Sequence, residues 1–145
     1  MNPKACNCDC CERAAWVEPI RLGDLIAALE RRPAEQWVIF DFGRLIPRKL
    51  ASYRGYYAEL ALGYDDDWYG REPRHGEGHV TVRALLIELR SAIGKTFTGW
   101  KGGDYVMNER TPVWAANTGE SPSTAIVGLA GCNYATVLAT RWCDR

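Results

Sequence analysis

Residues 81–107 read TVRALLIELRSAIGKTFTGWKGGDYVM, and within this tract the spacing of apolar residues changes from a helical to a strand period. Val82, Leu85, Leu86, Leu89 and Ile93 share one helical face, Thr81 carries an N-cap side chain, and Gly94 stands where a left-handed residue ends the helix. Thr96 to Trp100 and Asp104 to Met107 then pair as a hairpin around Lys101, Gly102 and Gly103. A helix that stops and feeds a two-stranded hairpin is therefore predicted.

Upstream, Leu22, Leu25, Ile26 and Leu29 repeat the helical spacing, and Arg31, Arg32 and Pro33 end the segment with cations and a stop. Residues 36–42, QWVIFDF, read as a strand whose near-continuous apolarity suggests a central place in a sheet. In GRLIPRKL, residues 43–50, Pro47 argues for an irregular basic connector. Residues 56–64 alternate, with Ala58, Leu60, Leu62 and Tyr64 on one face and Tyr57, Glu59 and Ala61 on the other. A polar loop is expected over 65–79, and further strands over 113–116, 124–130 and 134–142. The fold class expected is α+β, a mostly antiparallel sheet with two amphipathic helices on one face.

A chain of 145 residues suits one domain with an ordinary core, expected over 18–145 behind a flexible Cys-rich tail at 1–17. Eighteen basic and 18 acidic residues cancel, so no global field attracts a nucleic-acid polymer or a membrane surface. With no secretory or membrane-spanning pattern, the expected compartment is the cytoplasm. Cys6, Cys8, Cys10 and Cys11 cluster without a C-x-x-C knuckle, and His75 and His79 are far along the chain, so the cysteines read as thiols and no metal site is assigned. The run Asp65, Asp66 and Asp67 reads as a solvated loop, and no cofactor is called for.

Gly94-Lys95-Thr96 imitates the end of a phosphate-binding Walker A loop, but Leu89 occupies the place of that motif's first glycine and the helix precedes the run instead of following it. The tract still offers anion chemistry. Lys95 and Lys101 are point charges for phosphate, Thr98 adds a hydroxyl, Trp100 a stacking ring, and Gly102 and Gly103 let backbone approach a ligand. The alternative is a plain hairpin with surface lysines. In SYRGYY, residues 52–57, Arg54 offers bidentate phosphate binding beside Tyr53 and Tyr57, rings that stack a base or pack a strand. Arg44, Arg48 and Lys49 add charge and read as solvated. Trp114 and Asn117 put an aromatic and an amide at a strand end, either to read a base edge or as a core tryptophan and a turn asparagine. The ligand-binding candidates are thus Tyr53, Arg54, Tyr57, Lys95, Thr98, Trp100, Lys101, Gly102, Gly103 and Asn117. No G-x-S-x-G, H-E-x-x-H or nucleophile-base set occurs, so no catalytic residue is assigned and no enzyme is expected.

The order SYRGYYAELALGY, AIGKTFTGWKGGDYVM, TPVWAANTGES, TAIVG, spanning about Phe40 to Gly128, resembles a family of small bacteriophage proteins. The group is similar to phage anti-defence sponges, which bind cyclic nucleotide or cyclic ADP-ribose signals of bacterial immune systems and hold them uncleaved. The resemblance implies a small nucleotide signal as partner, a homo-oligomer with ligands at subunit junctions, and the host cell cytoplasm as the place of action. The aromatics Trp68, Tyr69 and Trp100 are candidates for the subunit interface; two other functions compete, a protein-binding inhibitor of a host immune effector using the Tyr- and Trp-rich surface and a metal-dependent nucleotide hydrolase using Asp104 or Glu109.

Overall fold

The computed structural model describes residues 18–42, 45–52, 59–65, 80–98, 103–116, 124–131 and 135–142. In chain order the elements are α1 (Leu22–Glu30), β1 (Trp37–Phe40), β2 (Ile46–Ser52), β3 (Leu60–Asp65), α2 (Val82–Ala92), β4 (Thr96–Thr98), β5 (Asp104–Val106), β6 (Val113–Ala115), β7 (Thr124–Gly131) and β8 (Ala135–Trp142). Six strands form a mixed sheet of order β1-β8-β7-β6-β3-β2, and β4 and β5 form a separate antiparallel pair. Within the large sheet β1 with β8 and β3 with β6 run parallel, and the other neighbours are antiparallel. The architecture is α+β, mostly sheet and largely antiparallel.

The sheet is curled. Five inter-strand steps would hold β1 and β2 about 24 Å apart in a flat sheet. Instead the Phe40 amide donates to the Leu45 carbonyl at 2.9 Å, and β1 lies against β2. Phe40 also meets Tyr64 of β3 edge-on, with ring centroids 5.7 Å apart, and Phe42 closes the trio at 5.1 Å from Phe40 and 5.2 Å from Tyr64. Strands four places apart in the hydrogen-bonded order, β1 and β3, thus share one aromatic cluster.

Alternation along the strands sorts the core. Leu60, Leu62, Val113, Ala115, Ile126 and Leu138 join Leu22, Leu25 and Leu29 of α1 and Val82, Leu85 and Leu89 of α2 in one buried cluster. Full burial of each leucine, isoleucine or valine among them contributes about 1.5–3 kcal/mol. The intervening Ala61, Trp114 and Ala125, with Ala116, form a second, smaller cluster.

Both helices start on backbone oxygens supplied by other segments. In α1 the N-cap residue Arg21 makes no side-chain cap bond; the amides of Leu22 and Gly23 donate to the carbonyls of Thr111 and Glu109, each at 2.8 Å. A Cβ on Gly23 would stand 2.9 Å from Glu109 Cβ and 3.2 Å from its carbonyl oxygen, so this close docking requires glycine. In α2 the amides of Val82 and Arg83 donate to Gln36 and Ala34 carbonyls, and that of Ala84 donates to the Thr81 hydroxyl at 3.1 Å. The helices are also tied by an exposed Arg90–Glu30 pair at 2.6 Å, a contact of small energetic weight in solvent.

Two expectations are corrected. The QWVIFDF strand lies at the end of the pairing order, not its centre. Its open side is shielded instead, because Val38 donates to the Val80 carbonyl and Trp37 bridges Thr81, so an edge strand keeps a buried Val38 and Phe40. Pro47, expected to exclude regular structure, lies inside β2. Proline is tolerated there because β2 is an edge strand, and the register shifts immediately after it, between Pro47 and Leu50.

Gly94 follows α2 at φ +80°, in the left-handed region, with nothing within 4 Å of the place a Cβ would take. Only backbone conformation therefore penalises a side chain there. Gly94→Ala is expected to destabilise by about 1–2 kcal/mol and Gly94→Asn by less, since asparagine visits this region. Urea unfolding midpoints at unchanged slope would check the ranking.

Candidate functional site

The tract after α2 folds as a hairpin whose bonding extends past its strands. The Gly94 amide donates to the Met107 carbonyl at 2.7 Å and the Met107 amide to the Lys95 carbonyl at 3.2 Å, so buried Met107 anchors the turn that delivers Lys95. Phe97 and Tyr105, paired across the strands, face the main core. Thr96, Thr98, Asp104 and Val106 form the exposed face.

Three candidate residues are brought together by this hairpin. Lys95 is exposed, with its ammonium 5.2 Å from the Phe97 ring centroid, a cation–π contact that steadies the side chain while leaving its three donors for an anion. The Thr98 hydroxyl donates to the Asp104 carboxylate at 3.0 Å across the pair. The oxygen of that hydroxyl can still accept a hydrogen bond, whereas the Asp104 charge opposes an anion at this face. At Gly103 the space a Cβ would take is filled by the Tyr105 hydroxyl, 2.6 Å from the ideal position. Its lack of a side chain makes room for a neighbouring ring.

Tyr53, Arg54, Tyr57, Trp100, Lys101, Gly102 and Asn117 lie outside the described residues, as do Trp68, Tyr69, all six cysteines and both histidines. Their flanks are placed. The strand leading to Tyr53 and Arg54, β2, lies in contact with β4, the strand leading to Trp100 and Lys101.

Trp114 is 1% exposed and its indole N–H donates to Glu59 Oε1 at 2.8 Å, so this tryptophan is a packed core residue with a satisfied polar tip. Three polar groupings carried no local sequence signal. Arg32 donates from Nε to the buried Thr136 hydroxyl at 3.0 Å and from Nη2 to Gln36 Oε1 at 2.8 Å, with its guanidinium over Gly131. Asp41 accepts from both the amide and the hydroxyl of Thr140, fixing β1 to β8. Asn108 and Thr111 close the turn that receives α1, Thr111 accepting from the Asn108 amide at 2.8 Å.

Among the described residues, no group of three or more His, Cys, Asp or Glu is arranged to hold a metal ion, and no helix is long and apolar enough to cross a membrane. No family model, no curated protein and no solved structure matches this chain.

Proposed function

We propose that this chain binds a nucleotide-derived bacterial immune signal, a cyclic oligonucleotide or a cyclic ADP-ribose isomer, and sequesters it uncleaved in the cytoplasm of a phage-infected cell. The observation that supports the reading is the contact between β2 and β4, which sets the segment leading to Arg54 and its tyrosines beside the hairpin that carries Lys95. In this reading Lys95 supplies a cation for phosphate, and the chemistry of Arg54 and its tyrosines suits a further phosphate and a base. A homo-oligomer with ligand at subunit junctions, and both helices on one face of the sheet, belong to the same proposal; the shared burial of α1 and α2 side chains with Leu60, Leu62 and Ile126 supports the second.

Purified protein incubated with candidate signals and then heat-denatured is expected to release intact ligand. Cleaved product would make the protein an enzyme, and retention of no nucleotide, together with a stoichiometric host protein in pull-downs, would favour an inhibitor of an immune effector. Lys95→Ala is expected to weaken retention about 10- to 100-fold, the range for losing a charged hydrogen bond of about 1.5–3 kcal/mol. Titration calorimetry of both forms would measure it.

A further inference from the structure

Strand β2 breaks its pleat where it is most basic. Pro47 pairs with Tyr64 and Leu50 with Leu62, so Arg48 and Lys49 together oppose the single residue Gly63. This two-against-one count defines a β-bulge. In a regular strand two successive side chains point to opposite faces; the bulge interrupts that alternation at Arg48 and Lys49, both of which are exposed. Arg48 is already engaged within the protein. Lys49 is an exposed cation on a strand in contact with β4, which begins directly after Lys95.

We infer that the bulge makes Lys49 a phosphate-contacting residue of the same nucleotide site as Lys95. Bulges re-aim side chains and recur beside functional sites. An exposed lysine at the bulge supplies a compact charge with three donors, suited to a phosphate of a cyclic nucleotide carrying more than one phosphoryl group. The inference rests on the sequestration reading and extends it to a residue that strand alternation alone would leave as solvated surface.

The test uses the full chain with cyclic di-AMP, cyclic ADP-ribose and pyrophosphate as probes, by titration calorimetry. Lys49→Ala should weaken binding of the retained probe about tenfold, Lys49→Glu more, and Lys49→Arg less than Lys49→Ala. Arg110→Ala, an exposed cation in the turn that receives α1, should leave binding within twofold. Circular dichroism and thermal midpoints establish that each variant is folded. If wild-type protein binds a probe and both Lys49→Ala and Lys49→Glu bind it within twofold, the role of Lys49 is overturned while sequestration stands. A wild-type protein that binds none of the probes overturns both.

Discussion

Phe40→Ala is expected to destabilise the protein by about 3–5 kcal/mol, the range for deleting a fully buried aromatic ring. The loss goes beyond transfer of one side chain, because Phe40 connects β1 to Phe42 and to Tyr64 on β3, strands far apart in the pairing order. Phe40→Leu should cost clearly less by refilling most of the volume. The decisive measurement is a double-mutant cycle with Tyr64→Ala. An aromatic contact of this geometry carries about 0.5–1.5 kcal/mol beyond burial, so the two losses should fall short of additivity by that amount. Additive losses would show that the two rings do not meet and that the sheet is flatter than described.

The second large effect belongs to the smaller cluster. Trp114→Ala removes a side chain that is 1% exposed and also leaves Glu59 without its indole donor, so a cost of about 3–5 kcal/mol is expected, visible as a urea midpoint shift at unchanged slope. Trp114→Phe separates the two causes. It keeps most of the packing, and a remaining loss of about 1 kcal/mol would report the hydrogen bond that the half-buried Glu59 no longer receives. If Trp114→Phe is neutral in Glu59→Ala protein but costly in wild type, the hydrogen bond is the source of the loss.

Local order was legible where one segment carried its own instructions. The i, i+3, i+4, i+7 spacing of Leu22, Leu25, Ile26 and Leu29 corresponds to the buried face of α1, and Thr81 and Gly94 cap α2 as their chemistry requires. The pairing of Thr96–Thr98 with Asp104–Val106 follows from the glycine-rich sequence between them and gathers Lys95, Thr98 and Gly103. Pairing order was not legible, because QWVIFDF resembles a central strand for a reason that lies far along the chain, at Val80 and Thr81. Pro47 misled in the same way: its tolerance depends on β2 having one partner strand, which no local pattern records. Glu59 and Trp114 are 55 residues apart in sequence, and the engagement of Thr98 with Asp104 depends on hairpin register. Candidate site residues could be named by chemical type, but whether each side chain is available is decided by such partners.

The docking of both helices onto backbone oxygens bears on how the proposed nucleotide ligand would be held. A helix amino end is the common cradle for phosphate because its amides are unsatisfied. Here the leading amides of α1 are taken by Thr111 and Glu109, and those of α2 by Gln36, Ala34 and Thr81. For an anion bound as in the proposed sequestration those amides are not available, and exposed side-chain charge such as that of Lys95 would carry the attraction. Attraction of that kind weakens as ionic strength rises, with a screening length of about 10 Å at 0.1 M salt and about 3 Å at 1 M. Capture would then depend on the ionic conditions of the cell, a sensitivity that a ligand seated on helix amides would share far less.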